Sequence, residues 1–355
     1  MSTLTRRASA GVPVVTSPVP RQVWRSVLAT DPGAVVSQSL AWHDAVLADG
    51  HYEDGSVLYE FPSGRQVLLP LARPRRVPGV VASWPGGWGI GGPISEGGRV
   101  SPDEAAAILG DVARRGALAA QIQLRHQAGD AWLGAPGRFQ AERLACHVLD
   151  LEGGFGQVWQ HRFRGTARTA IRKAERSGLD VETGHSGRLL GVFTDLYEKS
   201  IQRWATQQHE PLWLSRWRTN RATPPRMMST VARYFGADCR VWVARSQGMP
   251  VAAIIVLAAG GYAKYWRGAM DKELATKVRA NDLLHRLVIE DACEAGYRWY
   301  DMGYSRPGSP LATFKEKLGA TLYFGHTLRA QRLPVHAAAR ISRNAAKRVI
   351  GFKDV

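Results

Sequence analysis

Three apolar segments, "RVWVARS", "PVAAIIVLA" and "YAKYWRG", follow one another in the second half of the chain, separated by two short breaks. The breaks hold Gln247-Gly248 and Gly260-Gly261, and glycine readily adopts the left-handed backbone of tight hairpin turns. The segments are rich in β-branched and aromatic residues, which favour strands. The pattern predicts a three-stranded β-meander, and this sheet limits what the surrounding chain can fold into.

Helical segments surround the meander. Apolar residues recur before it at helical spacing: Leu190, Phe193, Tyr197, Ile201 and Trp204. After it, the pattern predicts a helix over residues 281–295 that ends at Gly296, a strand over residues 297–302 and a last strand in "TLYFGHTL". This order predicts an α/β (α+β) fold with mixed, mostly antiparallel sheets flanked by helices.

The first half of the chain repeats the same kinds of pieces. It contains a helix capped by Ser37 or Ser39, a hairpin signal at Pro62-Ser63-Gly64, a helix start in "SPDEAAAILG", and a strand near residues 144–151. The glycine-rich segment "GGWGIGG" predicts a loop or short strand where the backbone passes close to another part of the protein.

Gly153-Gly154 follow the predicted strand and mark a domain boundary. We therefore expect two domains of similar construction, because 355 residues exceed the usual size of one domain. The predicted organisation is a flexible N-terminal tail over residues 1–20, a first domain over 21–152, a second over 153–330, and a basic C-terminal helix over 331–355.

The chain is strongly basic, with a formal net charge of +17 and a sequence pI of about 10.3. Such an excess predicts a polyanionic partner: nucleic acid, anionic lipid or a phosphorylated substrate. Cys146, Cys239 and Cys293 are odd in number and far apart, which is typical of reduced thiols in a cytoplasmic protein. No metal site is expected, because no set of Cys and His residues has zinc spacing. No apolar stretch approaches the ~20 residues of a membrane span.

The segment "HRFRGTARTAIRKAERSG" predicts an amphipathic helix with one basic face. Its basic residues are Arg164, Arg168, Arg172, Lys173 and Arg176. Like charges four residues apart repel one another on a helix, and only Glu175 is near enough to relieve them. Two interpretations are equally favoured: a solvated helix face, or a surface that pairs guanidinium groups with phosphates.

The C-terminal segment "HAAARISRNAAKRVIG" predicts a second basic helix. Arg340, Arg343 and Lys347 share one face of it. This face either remains in water or contacts an RNA backbone. Binding to a membrane surface is less favoured, because the apolar face is rich in alanine and lacks Trp and Phe.

The chain lacks GxSxG, HExxH and P-loop motifs, so no standard nucleophile, zinc or nucleotide site is predicted. Asp301 lies late in a predicted strand, where a carboxylate either orients an amine or, more often, bonds the following loop. Arg203 and Trp204 end a helix, and a core position is the favoured interpretation for the tryptophan. Residues 276–281 follow a strand without any glycine, which counts against a pyrophosphate-gripping loop for coenzyme A.

Residues 305–320, "SRPGSPLATFKEKLGA", bring Lys315 and Lys317 next to Phe314 with little acid to balance them. Together with "RGTARTAIRKAERSGLDVE", "FTDLYEKSIQRW" and "AGYRWYDMGY", this stretch resembles the Fem-type transferases of the N-acetyltransferase-like (GNAT) superfamily. The resemblance covers mainly residues 160–325. It implies two tandem GNAT-like domains, the first on the acceptor side, that transfer an amino acid from aminoacyl-tRNA to an amine and form an amide.

The resemblance also implies roles for residues. Phe314 and Lys315 would match the essential Phe-Lys pair: Phe314 would shape the channel for the terminal adenosine, while Lys315 would hold a phosphate or steady the charge of the ester carbonyl. Asp301 is a third catalytic candidate. The tRNA-binding candidates are the two basic helices and Lys317, and the acceptor-binding candidates are Arg203, Trp204, Tyr304 and Ser305.

No cofactor is expected, because an aminoacyl ester is already activated and needs mainly positioning and oxyanion stabilisation. The acceptor is either a peptidoglycan precursor or a small natural-product intermediate. One alternative is a GNAT N-acyltransferase that uses acyl-CoA or an acyl-carrier protein. Another is a non-catalytic RNA- or envelope-associated protein that kept the fold.

Overall fold

The structure of the protein is a computed structural model that describes residues 11–85, 87–134 and 138–332. Within these ranges the chain forms two compact units, the first made of residues 11–144 and 325–332 and the second of residues 145–324. The predicted C-terminal helix, with Arg340, Arg343 and Lys347, lies outside the described residues. So does the first half of the predicted N-terminal tail.

In the described residues, the first unit contains three α-helices and two sets of paired strands. Its elements are β1 (Val14–Thr16), α1 (Arg21–Ala29), α2 (Leu40–Ala48), β2 (Tyr52–Asp54), β3 (Val57–Glu60), β4 (Gln66–Leu69), β5 (Ala72–Pro74), β6 (Val80–Ala82), β7 (Ile94–Ser95), α3 (Pro102–Arg115), β8 (Ala119–Leu124) and most of β9 (Gln140–Asp150). One sheet has the antiparallel order β1–β3–β4–β7. In the other, β8 pairs parallel with β6, which continues antiparallel through β5 to β2.

Helix caps and a turn glycine begin and end elements of this unit where the sequence predicts them. The Ser39 hydroxyl accepts a bond from the Trp42 backbone N–H and caps α2. Ser101 and Glu104 form a reciprocal capping box at the start of α3, which satisfies two backbone donors without intrahelical partners. Gly64 has a φ of 82° in the turn between β3 and β4, a backbone region that glycine enters at no steric cost.

The predicted close approach in "GGWGIGG" is confirmed. A Cβ atom on Gly91 would lie 2.5 Å from the carbonyl oxygen of Ser83, so no larger residue fits there without a shift. The buried amide of Gln38 donates to the carbonyl oxygens of Gly91, Gly92 and Pro93. This side chain therefore supplies the hydrogen bonds that the irregular loop cannot make with itself.

The second unit carries the remaining helices. Its elements are α4 (Gly154–Gln157), a π-helical turn (Val158–Arg162), α5 (Gly165–Glu175), β10 (Leu179–His185), α6 (Leu190–Gln207), α7 (Leu212–Ala222), α8 (Pro225–Phe235), β11 (Cys239–Ser246), β12 (Met249–Ala259), β13 (Tyr262–Met270), α9 (Lys272–Val278), α10 (Ala280–Glu294), β14 (Trp299–Tyr304), α11 (Pro310–Lys317) and β15 (Thr321–Gln331). From Gly325 onward β15 belongs to the first unit, where it pairs antiparallel with β8.

The sheet of the second unit has the order β10–β11–β12–β13–β14–β9, and the predicted meander β11–β12–β13 is confirmed. Only the β13–β14 pair is parallel among these strands. The helices α9 and α10 connect the two strands and return the chain to the edge of the sheet where β13 began. One core cluster joins α5, α10 and the sheet through Ile171, Leu284, Ile254 and Tyr300. The fold is thus α/β with mixed, mostly antiparallel sheets.

The division between the units differs from the predicted boundary at residue 152. It falls at Leu144, eight residues earlier. The strand β9 passes from the first unit into the second without a break, so Gly153-Gly154 mark the end of a strand rather than the change of unit.

Phe314 and Lys315 do not lie at the start of the helix that contains them. Ser309 caps α11 by accepting from the Ala312 backbone N–H, and Pro310 occupies the first helical position. Proline is favoured there because its missing N–H has no intrahelical partner anyway. Phe314 and Lys315 consequently lie in the second half of α11, away from its free N–H groups. No helix in the described ranges is long and apolar enough to cross a membrane.

Candidate active site

A cavity of about 900 Å³ opens in the second unit. Residues from α6, β13, α10, the loop after β14 and α11 line it. Its wall contains five of the predicted catalytic and acceptor-binding residues from three parts of the chain: Arg203 and Trp204 on α6, Ser305 after β14, and Phe314 and Lys315 on α11. Tertiary structure therefore brings together side chains that lie up to 112 residues apart in the sequence.

Lys315 is the most deeply buried charged group in this wall, with 1% of its surface exposed. Its Nζ donates to the carbonyl oxygens of Gly303 and Tyr304, both at 3.0 Å. Burial lowers the pKa of Lys315 from 10.5 to about 8, while the nearby Asp301 carboxylate opposes this shift. The two bonds use two of the three ammonium donors, which leaves one for a bound substrate.

An aromatic cluster stands beside Lys315. The rings of Phe314 and His285 meet edge to face with centroids 5.3 Å apart, and His285 packs on Tyr265 in the same way at 4.7 Å. Burial lowers the pKa of His285 to about 3, and Lys315 and Lys317 add to the effect. His285 is therefore a neutral ring, and its Nδ1 lies within hydrogen-bonding distance of the Tyr300 hydroxyl, at 2.9 Å.

Both carboxylate oxygens of Asp301 accept hydrogen bonds from within the protein. Its Oδ2 accepts from Lys264 Nζ at 2.5 Å, and its Oδ1 accepts from the Gly303 backbone N–H at 2.7 Å. Gly303 has a φ of 72°, so this bond holds the bend within β14 where its register with β9 shifts. Asp301 and Tyr304 are not among the described residues that line the cavity, and Tyr304 reaches the site through its carbonyl bond to Lys315.

Arg203 and Trp204 line the cavity. Arg203 donates to the Met270 carbonyl oxygen at 3.1 Å, and burial lowers its pKa. The guanidinium also stands 5.6 Å from the ring centre of Trp204. Trp204 is half-buried and meets Tyr197 edge to face, so the core position that the sequence favoured is only partly realised.

Ser305 has a partner that sequence reasoning missed. Its Oγ lies 2.9 Å from Nδ1 of His147, and Nε2 of the same ring lies 3.4 Å from Oε1 of Glu316. His147 is on β9 and fully buried, whereas Glu316 is on α11. The sequence carried no signal for this arrangement, because 158 residues separate the histidine from the serine.

The basic helix α5 is amphipathic as predicted, since Ala167, Ile171 and Ala174 are buried. Four of its five predicted phosphate ligands are exposed: Arg164, Arg172, Lys173 and Arg176. Arg168 differs, because its guanidinium donates to the carbonyl oxygens of Trp159, Gln160 and Phe163 and so satisfies the end of the preceding helical turns.

Lys317 does have an acidic partner within the chain. Its Nζ lies 2.5 Å from Oδ1 of Asp282, which is almost fully buried in the first turn of α10. The expectation that both lysines of α11 lack acid partners is therefore wrong for Lys317. Asp282 also places a carboxylate at the N-terminus of α10, and Arg279 precedes it in the left-handed region with a φ of 58°.

Comparisons with known proteins agree with this fold. Residues 161–315 match the acetyltransferase (GNAT) domain family. No curated protein matches the sequence significantly. Among solved structures, FemX aligns with a TM-score of 0.59 and 11% identity over 88% of this chain and 96% of its own. L-PGS from Bacillus licheniformis aligns with a TM-score of 0.53 and 16% identity over 95% and 98%.

A third similar structure is a conserved protein of unknown function from Bacteroides thetaiotaomicron, with a TM-score of 0.56 and 9% identity over 88% of this chain and 98% of its own. These identities are low, so the likeness concerns the fold. Residues 161–315 accordingly form an acyltransferase domain of the GNAT type, and the fold of the chain is similar to that of FemX.

Proposed function

We propose that this protein transfers an amino acid from aminoacyl-tRNA to an amine and forms an amide bond. One observation carries the proposal. The Phe314–Lys315 pair, which the Fem-type resemblance marks as essential, lies in the wall of a large cavity with a buried cation at its surface. A buried ammonium next to an aromatic cluster suits a substrate that combines a base, an ester and phosphates.

The reaction needs a neutral amine held close to the ester carbonyl. Attack of the amine places negative charge on the carbonyl oxygen, and the free donor of Lys315 would stabilise that oxygen. Since Lys315 is already held by two backbone carbonyls, little reorganisation accompanies the reaction. Phe314 would lie against the terminal adenosine. Asp301, through Lys264 and Gly303, would hold the bend that presents this wall of the cavity.

The exposed basic residues of α5 would bind the tRNA backbone. Arg172 and Arg176 lie one turn apart without carboxylate partners among the described ion pairs. Neutralising phosphates releases counterions, so binding should weaken steeply as salt rises. Arg168 and Lys317 would contribute indirectly, because each is already bonded within the protein.

The acceptor would bind against the part of the wall formed by Arg203, Trp204 and Ser305. A ring and a cation in this part of the wall suit an amine that carries a carboxylate or an aromatic group. We propose a small natural-product intermediate or a peptidoglycan precursor as the acceptor class. The proposed chemistry requires neither a metal nor an organic cofactor.

The test uses purified protein, tRNA charged with labelled amino acids, and a panel of amines. We expect an amide product whose formation is abolished by RNase. Arg172→Glu should weaken tRNA binding and flatten its salt dependence, whereas Arg233→Glu, an exposed arginine on α8, is the matched control. Product that forms equally well after RNase treatment contradicts the proposal.

A second candidate function follows from the match to the acetyltransferase (GNAT) domain: transfer from acyl-CoA or an acyl-carrier protein. Residues 276–281 argue against it, because this segment before α10 contains no glycine and so lacks the glycine loop that would grip a pyrophosphate. Calorimetry with coenzyme A separates the two. Tight binding of coenzyme A would favour the second candidate.

A further inference from the structure

Ser305, His147 and Glu316 form a hydroxyl–imidazole–carboxylate line that ends at the cavity. Ser305 is half-buried in the cavity wall, 2.9 Å from Nδ1 of His147. His147 is 0% exposed, and its other nitrogen, Nε2, faces Glu316 Oε1 at 3.4 Å. The three residues come from β9, from the loop after β14 and from α11, so the fold alone assembles them.

The carboxylate decides which imidazole nitrogen carries the proton. A carboxylate can only accept, so the Nε2 atom of His147 donates to Glu316 and Nδ1 is left with its lone pair. Nδ1 must then accept the hydroxyl proton of Ser305. Hydrolytic triads use the same three groups in the same order to remove a proton from a serine hydroxyl. In those triads Nε2 faces the serine and Nδ1 faces the carboxylate, whereas here the two nitrogens are exchanged.

The charge state of the ring suits the same role. Burial lowers the pKa of His147 below its ordinary 6.5, Lys315 lowers it further, and Glu316 opposes both. His147 is therefore a neutral base at neutral pH. A buried imidazole that only stabilised the fold would not need its accepting nitrogen directed at a hydroxyl in a substrate-sized cavity.

We propose that Ser305 is a catalytic residue that relays protons in the acyl transfer, with His147 and Glu316 as the residues that position and drive it. The proposal rests on the proposed function. As the amine nitrogen bonds to the ester carbonyl carbon, it passes one proton to Ser305 Oγ while the hydroxyl proton of Ser305 moves to His147 Nδ1. When the bond from that carbon to the tRNA 3′ oxygen breaks, the proton returns through Ser305 to this oxygen. No proton is gained or lost.

This assignment leaves the roles of the other groups intact. Lys315 stabilises charge on the carbonyl oxygen, and Ser305 handles the proton of the nitrogen. The nearby thiol of Cys146 is no competitor, because burial raises its pKa to about 12 and keeps it protonated.

The kinetic test compares Ser305→Ala and Glu316→Gln with Ser229→Ala, whose wild-type hydroxyl bonds only a backbone carbonyl on α8. Ser305→Ala should lower kcat by about 10²- to 10⁴-fold, the usual contribution of general acid–base catalysis, without a comparable change in KM. In the wild type, kcat/KM should fall at acid pH as His147 gains a proton. Glu316→Gln should move this fall to lower pH, because Glu316 raises the pKa of His147.

A second measurement needs no substrate. The ¹⁵N resonances of the His147 ring, assigned with His147→Gln, should show Nε2 protonated and Nδ1 unprotonated in the wild type, and a mixture of both forms in Glu316→Gln. A protonated Nδ1, or a Ser305→Ala variant with wild-type kcat and pH profile, overturns the proposal.

The kinetics are run with whichever acyl donor the wild-type protein uses. Failure of aminoacyl-tRNA as a donor would thus contradict the proposed function, while the Ser305 measurements would still decide the relay. A wild-type protein that turns over neither aminoacyl-tRNA nor acyl-CoA overturns the catalytic role of Ser305, even if the ring tautomer is as stated.

Discussion

Replacing Lys315 by methionine tests the central feature of the candidate site, a buried ammonium. The substitution removes the charge and keeps the length and most of the volume of the side chain. A pKa of about 8 in place of 10.5 means that the folded protein disfavours the charged form by about 3 kcal/mol, because the cost of burial exceeds the attraction of Asp301. Methionine escapes this penalty, but it leaves the Gly303 and Tyr304 carbonyl oxygens without their donor, at about 1–3 kcal/mol for each.

The two effects oppose each other at neutral pH, so the pH dependence is the sharper measurement. Between pH 8 and 10.5 the unfolded wild-type chain keeps a proton on Lys315 that the folded protein has lost. Stability therefore rises with pH in this range for the wild type and not for Lys315→Met. The difference in the free energy of unfolding, wild type minus variant, should rise by about 3 kcal/mol from pH 7.5 to pH 10.5.

The assay is urea unfolding of both proteins across this range, followed by tryptophan fluorescence. Lys277→Met, which removes an exposed lysine of α9, controls for the general loss of one positive charge. Lys315→Met should also lose about 10²- to 10³-fold in kcat, as expected when one oxyanion donor is removed. A wild-type-minus-variant difference that stays flat with pH would refute the assignment of a desolvated ammonium at this position.

Three further predictions concern the surroundings of the site. Lys317→Met should lower the free energy of unfolding by about 3–5 kcal/mol in urea titrations, because it leaves the buried Asp282 carboxylate unpaired, and Asp282→Asn in the same chain should recover part of this loss. The ring of His285 should show no NMR titration between pH 5 and 8, since its pKa is about 3, and a midpoint near 6.5 would contradict its burial. Gly303→Ala should destabilise the protein by more than about 1 kcal/mol in thermal unfolding, because its φ is 72°, whereas Gly156→Ala in an open position at negative φ should change little.

The elements that the sequence predicted well are those whose signals are local. The meander follows from strand residues separated by Gln247-Gly248 and Gly260-Gly261, and these turns form as expected. The helix α10 ends before Gly296, whose φ of 76° is the left-handed conformation that stops helices. Backbone propensity and turn chemistry act over a few residues, so one sequence suffices to recognise them.

The candidate site was predicted only where a motif names its residues. Phe314 and Lys315 do lie in the cavity wall. They lie late in α11 because the helix begins earlier, at the cap that Ser309 forms. The hydrogen bonds from Lys315 to the backbone carbonyls could not be foreseen. They require the bent chain at Gly303 to pack against α11. A motif identifies a side chain without giving its environment.

The sequence by itself determined the β-meander, the glycine that ends α10, the amphipathic α5 and the strong positive charge, because each depends on neighbours along the chain. Tertiary structure alone decided which charges are paired. Lys317 meets Asp282 from 35 residues away, and Ser305 meets His147 from 158 residues away. The physical reason is that pairing and pKa depend on distance and burial, which arise only when the sheet and helices pack.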